Sequence, residues 1–213
     1  MHSQPPSGLH RGGTSMSRPF SRRTLLLAAG GATAGALAGC STGGNDTAGP
    51  TREYEFTEPT PTATVIAKDQ RAPAPAFAGE LLDGASFDSS SLAGDVAVIN
   101  FWGSWCVPCR VETPEFQAVH ADVADRGVQF LGIDVKDQRQ LAVAFSEQLG
   151  VAYPSVFDPR GEVAMAFRGF PANVVPSTIL LDRDGRVAAV YTGQVRGEDL
   201  RTAVELLLAE DQA

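Results

Sequence analysis

The sequence is poor in the side chains that hold metals. Its 213 residues include three histidines (His2, His10 and His120) and three cysteines (Cys40, Cys106 and Cys109). A zinc site built on one pair of cysteines needs two further ligands, and most of the remaining candidates precede residue 41. Basic charge is scarce as well. Arg11, Arg18, Arg22 and Arg23 are the only charged residues among the first forty, and 13 bases stand against 25 acids after Cys40, a formal −12. An acidic body repels phosphate backbones and anionic headgroups, which argues against nucleic acid and against peripheral binding to anionic lipid. The apolar run from Leu25 to Gly39 is too short and too rich in Ala and Gly for a comfortable bilayer span, which wants ~20 strongly apolar residues. No internal repeat is visible. What is left is ordinary: 43% hydrophobic and 20% charged residues, enough for one globular domain with tails.

The first forty residues have the parts of an export signal: a basic start, an apolar middle and small residues before a cleavage point. Ser21-Arg22-Arg23-Thr24-Leu25-Leu26 resembles a twin-arginine signal, and Leu37-Ala38-Gly39-Cys40 resembles a bacterial lipobox. In such signals the cysteine thiol receives a diacylglycerol, which holds a protein to a membrane without a basic patch. Lipidation of Cys40 and attachment to the extracytoplasmic face of a bacterial membrane are therefore expected. The plainer alternative is an uncleaved N-terminal anchor, and either Met1 or Met16 can be the start. Residues 41–72, rich in Gly, Thr, Pro and Ser, read as a flexible tether. The fold is expected over 73–213.

Within that region, Ala76–Leu82 followed by Asp83-Gly84 reads as a strand with a turn. Val96–Trp102 is a nearly continuous apolar run, the pattern of a strand buried on both faces. From Val107 the chain turns helical, with Val111, Phe116, Val119 and Val123 expected on one buried face. Val128–Ile133 reads as a second core strand and Leu141–Leu149 as a helix ended by Gly150. Ser177–Asp182 and Val187–Tyr191 flank the turn Asp184-Gly185 as a hairpin, and Leu200–Leu208 closes with an amphipathic helix. This order predicts α/β layering around a mixed sheet.

Trp105-Cys106-Val107-Pro108-Cys109 falls between a buried strand and a helix. Unpaired N–H groups and the dipole at a helix N-terminus favour a thiolate over a thiol. Cys106 is expected at the mouth of the helix and Cys109 one turn inside, so that the outer sulfur attacks a disulfide and the inner one resolves it. Pro108 suits the first turn, where its missing N–H costs nothing.

The block Asn100-Phe101-Trp102-Gly103-Ser104-Trp105-Cys106-Val107-Pro108-Cys109-Arg110-Val111-Glu112-Thr113-Pro114-Glu115-Phe116 resembles the active-site block of the TlpA/ResA/DsbE-like thioredoxins. The resemblance continues through Tyr153-Pro154-Ser155, Val175-Pro176-Ser177-Thr178 and Asp182-Arg183-Asp184-Gly185, over roughly residues 73–210. It implies a thioredoxin-like fold, a central mixed sheet flanked by helices with an N-terminal β-hairpin extension. It implies Cys106 as attacking and Cys109 as resolving thiol, with Trp105 covering the pair. Pro176 matches the family's cis-proline, leaving the backbone of Val175 to pair with an extended substrate segment; without the resemblance, an ordinary trans proline at a strand start is the plainer reading. Glu112 matches an acid that tunes the cysteines' protonation; alone it reads as a first-turn glutamate complementing the helix dipole. Asn100 stands where cytosolic thioredoxins carry a buried acid.

By the same resemblance the chain is expected to be a tethered reductase of client dithiols, such as the C-x-x-C-H segment of apocytochrome c. Its electrons would come from a membrane thiol transporter of the CcdA type, and no cofactor or metal is expected beyond the redox-active Cys106–Cys109 disulfide. A disulfide-forming oxidase of secreted proteins is the alternative. A peroxiredoxin-type peroxidase would carry a different, threonine-bearing cysteine motif. A copper chaperone of the SCO kind would want wider cysteine spacing and a later histidine, and none follows His120.

Overall fold

A computed structural model of the protein describes residues 59–170 and 174–210. Residues 1–58, where the export signal, Cys40 and the first part of the tether are expected, lie outside the described residues. Among the described residues seven strands form one sheet: β1 (Ala78–Leu81), β2 (Ser86–Asp88), β3 (Val96–Trp102), β4 (Val128–Val135), β5 (Ser155–Asp158), β6 (Ser177–Leu181) and β7 (Val187–Thr192). Four helices accompany them: α1 (Val107–Val123), α2 (Arg139–Leu149), α3 (Glu162–Ala166) and α4 (Gly197–Ala209). The spatial order is β2-β1-β5-β4-β3-β6-β7. β3, β4 and β5 run parallel, joined through α1 and α2 as consecutive βαβ units, while β1–β2 and β6–β7 are antiparallel hairpins at the two edges. Among the described residues no helix is long and apolar enough to cross a membrane.

All seven residues of β3 are buried, as its unbroken apolar run predicts. Its alternate residues feed two cores. Val96 and Val98 pack with Phe116, Val119 and the apolar stripe of α4 on one side. Ala97, Ile99 and Phe101 pack on the other with Ile133, Ile179 and Phe167, whose ring meets Phe101 edge-on at 5.5 Å. This two-sided burial makes β3 a rigid platform for the loop that follows it.

Four sequence expectations need correction. Val111 is exposed, and Glu112 takes the buried position instead. The reason is helical phase: five residues separate Val111 from Phe116, about 140° around the axis, whereas Glu112 is four residues away and shares its face. Glu112 is also the sixth residue of α1, beyond the first turn. β4 continues past Ile133 to Val135 and so takes in Asp134. β5 and α3, absent from the sequence reading, complete the sheet's parallel half and cover its second face.

The chain is also tied down earlier than its composition implies. Thr60 N–H donates to Val190 O and Ile66 N–H to Ala188 O, each at 2.7 Å, and Tyr191 Oη donates to Thr64 O at 2.7 Å. Buried Arg71 ends this strap, bonded to Asp182 at 3.0 Å and to Glu210 at 2.5 Å. The Gly/Thr/Pro-rich composition reads as tether because these contacts are long-range and leave no periodic trace.

Candidate active site

The site stands at the C-terminal end of β3, where the chain leaves the sheet and enters α1. Cys106 is the N-cap of that helix, and its Sγ accepts the N–H of Cys109 at 3.2 Å. A sulfur in this position is stabilised as thiolate by the orphan amides it faces. The two cysteines are joined as a disulfide. Cys109 is fully buried and Cys106 is 4% exposed, so only Cys106 has an edge from which exchange can start. Both pack in a small cluster with Trp102, Ala142 and Phe145.

Trp105 is half exposed and held over the loop by its indole N–H, which donates to Val135 O at 3.2 Å. Gly103 permits that posture, because a Cβ there would fall 2.5 Å from the indole nitrogen. Ser104 N–H donates to Asp137 Oδ2 at 2.5 Å, anchoring the same loop to the end of β4. Across the site the Val175–Pro176 peptide bond is cis. Val175 packs against the cysteine cluster, and among the described residues its backbone N–H and C=O make no hydrogen bond. Cys106, Cys109 and Val175 thus share one cluster, Trp105 and Val175 line one groove, and Pro176 follows Val175 in the chain.

Glu112 lies beneath them, three residues beyond Cys109 on the same helix face. It is fully buried, yet both oxygens are partnered: Oε1 accepts from Asn100 Nδ2 at 3.0 Å and Oε2 from Val195 N–H at 3.1 Å. Burial pushes its pKa up to about 7, against the two hydrogen bonds, which pull it down. Asn100 is the hinge of this arrangement, since its amide also reaches Thr178 Oγ1 at 3.2 Å. The departure at Asn100 therefore supplies a donor to Glu112 rather than a second acid.

A second buried carboxyl escaped the sequence reading. Asp134 is fully buried, next to Trp102 across the β3–β4 ladder, and neither oxygen has a hydrogen-bond donor among the described residues. Burial first, then the neighbouring charges of Asp137 and Asp158, push it up to about 8, with Arg139 opposing. An acid in the middle of Leu131-Gly132-Ile133-Asp134-Val135 was the available signal. No group of acidic, histidine or cysteine side chains capable of holding a metal occurs among the described residues.

The comparisons with known proteins agree with this geometry. The AhpC/TSA family model matches residues 71–190. The thiol–disulfide oxidoreductase ResA of Geobacillus thermodenitrificans is 30% identical over 132 residues, 62% of this chain and 74% of the relative. A DsbF homologue from Corynebacterium diphtheriae superposes with a TM-score of 0.66 at 35% identity, covering 72% of this chain and 98% of that one. A secreted thiol–disulfide isomerase from Corynebacterium glutamicum gives 0.67 at 32% identity, covering 72% and 96%. A thioredoxin-like sheet, a disulfide at the mouth of α1 and these likenesses converge: the chain belongs to the AhpC/TSA family, among the TlpA/ResA/DsbE-like thioredoxins, and is a thiol–disulfide oxidoreductase.

Proposed function

We propose that the protein reduces client disulfides outside the cytoplasm, with Cys106 as the attacking and Cys109 as the resolving thiol. The observation that carries this is the asymmetry of the pair: an edge of Cys106 at the helix mouth beside the unengaged backbone of Val175, with Cys109 sealed behind it. In the reductive direction the Cys106 thiolate attacks one sulfur of a client disulfide. A mixed disulfide forms and the client's other sulfur leaves as a thiolate. Cys109, deprotonated with Glu112 as acceptor, then attacks Cys106 Sγ and releases the client's second thiolate. Two electrons pass to the client and the protein is left as the Cys106–Cys109 disulfide. A client strand pairing with Val175 and lying against Trp105 would hold the reacting sulfur in place.

The lipobox-like Leu37-Ala38-Gly39-Cys40 supports export and a lipid anchor on Cys40, on the extracytoplasmic face of a bacterial membrane. An oxidising compartment closes client dithiols unless something reopens them. Apocytochrome c, with its C-x-x-C-H segment, is the client class proposed, and a CcdA-type thiol transporter the electron donor. Likeness to the secreted isomerase of C. glutamicum favours a second reading, in which the pair donates its disulfide to exported proteins.

The reduction potential of the Cys106–Cys109 pair separates the two. A value near or below about −270 mV, the thioredoxin end of the range, fits the reductase; one near about −120 mV makes the protein an oxidant. Cys109→Ser is expected to accumulate the mixed disulfide with client, seen as a reducible covalent adduct on gels. If Cys106→Ser forms that adduct instead, the roles are reversed. Cys40→Ser should move the protein from the membrane to the soluble fraction, and unchanged fractionation would discard the anchor.

A further inference from the structure

The acidity of the chain does not extend to the rim of its active site. A groove of about 480 Å³ opens beside Trp105 and Val175, between the end of β4 and α3. Its size lies within the range of about 300–1,000 Å³ common for binding sites. Val135, Met165 and Phe170 give it an apolar lining, and the cations Lys136, Arg160 and Arg168 line it as well. Among the described residues no carboxylate lines it. In a region where acids outnumber bases 25 to 13, this is a local reversal of sign placed against the two residues that flank the reacting sulfur.

We propose that this groove is a specificity site for client segments bearing an acidic residue near the reacting cysteine. The proposal rests on the exchange reading of Cys106 and names the client chemistry that reading leaves open. Three observations support it. Lys136 makes no ion pair among the described residues, and its backbone sits at φ 54° in the left-handed region, a conformation a lysine adopts only where its surroundings impose it. Its N–H is tied to Asp158 O at 3.2 Å, which sets the side chain at the rim beside Trp105. Arg160 does have a partner, Glu162 at 2.9 Å, but both side chains are largely exposed, and such solvent-screened pairs yield readily to a better-placed carboxylate.

The second groove, on the other side of Trp105, supports the choice by contrast. It is larger, about 650 Å³, and also touches Lys136 and Arg110, but Asp137 lies within it and its lining is more polar. It does not reach Val175. A client strand paired with Val175 therefore runs along the groove that Lys136 and Arg160 line and that Asp137 does not. Complementary charge there acts mainly on encounter rate and on the choice among clients.

The test uses the reduced protein and three disulfide peptides identical except for one residue beside the cysteine: Glu, Ser or Lys. The second-order rate of reduction is expected to fall in the order Glu, Ser, Lys, with Glu over Lys by about tenfold at low salt. The ratio should collapse toward unity near 1 M salt, where screening shrinks to about 3 Å. In the Lys136→Glu, Arg160→Glu protein the Glu-over-Lys ratio should invert. Equal rates for the Glu and Lys peptides, or a ratio that survives both high salt and charge reversal, would overturn the specificity site. If the wild-type protein reduces none of the three, the exchange reading itself fails, so the two failures are distinguishable.

Discussion

Glu112 and Asp134 are both fully buried and both stand on the face of the sheet that underlies the cysteines, yet they are built differently. Glu112 accepts two hydrogen bonds, from Asn100 and Val195, and burial brings it to about 7. Asp134 accepts none, faces the like charges of Asp137 and Asp158, and is brought to about 8. A carboxyl that is held on both oxygens and titrates near neutrality has the fixed geometry and the matched pKa that proton transfer requires. One without donors is better protonated, and its remaining hydrogen can point toward Asp137. Both make the fold's stability depend on pH, but only Glu112 is held in a fixed geometry for chemistry.

The sign follows from linkage. Both groups hold their proton more tightly in the folded than in the unfolded chain, where ordinary values are 4.5 for the glutamate and 3.8 for the aspartate. Stability from each is therefore fully present below those values. It declines as pH rises toward about 7 for Glu112 and about 8 for Asp134, and stays constant above.

The largest effect is expected at Glu112. Glu112→Gln keeps the shape but offers one acceptor, so a new N–H₂ must face either Asn100 Nδ2 or Val195 N–H, donor against donor. Exchange should slow by about 10- to 100-fold, toward the lower end of general-base contributions. The diagnostic is the pH–rate profile: the limb near neutrality should vanish. If the variant is slow at every pH but keeps that limb, Glu112 is a structural acceptor and the proton goes elsewhere.

Asp134→Asn should do the opposite. Exchange should change little, while the protein becomes more stable than wild type as pH rises from 4 to 8. The gap at pH 8 should be on the order of 2 kcal/mol, since each unit of displaced pKa is worth about 1.4 kcal/mol and the folded state relaxes part of it away. For a domain of this size that is a rise in melting temperature of about 4–8 °C, readable by thermal melts across the pH series. A constant gap from pH 4 to 8 would mean that packing, not ionisation, separates the two proteins.

The same pair marks the boundary of what could be read in the sequence. Cys106, Cys109 and Pro108 were legible because their chemistry depends on a contiguous motif at a strand–helix junction. Trp105 and Pro176 were legible through the resemblance. Glu112 was half legible: its identity stood out, but its burial depends on helical phase, which the tempting Val111–Phe116 spacing obscures. Asp134 was missed because the strand was ended at Ile133, one residue short of it. β5 and α3 span only four and five residues, too short for periodicity to register. The groove cations lie at 136, 160 and 168, and their segments are brought together by the β4–β5 pairing and by α3 packing on those strands.

The smallest expected effect isolates the charge term in Asp134. Asp137 does two things: its Oδ2 anchors Ser104 N–H at 2.5 Å, and its charge raises Asp134. Asp137→Asn retains an acceptor oxygen for Ser104 and removes the charge. The loop that carries Trp105 should therefore keep its place, seen as unchanged tryptophan fluorescence. Asp134 should meanwhile titrate lower in the folded protein. The loss of stability between pH 5 and 8 should shrink by about 0.5 kcal/mol, the scale of one partly screened like-charge contact. Burial and Asp158 act on Asp134 whatever stands at position 137, so pH–stability curves that superimpose with wild type would assign the shift to those two and none of it to Asp137. Curves that coincide at low pH and part as pH rises, with Asp137→Asn the more stable, would assign part of it to Asp137. The first outcome leaves the difference between the two carboxyls to hydrogen-bond donors and Asp158; the second adds the charge of Asp137 to them.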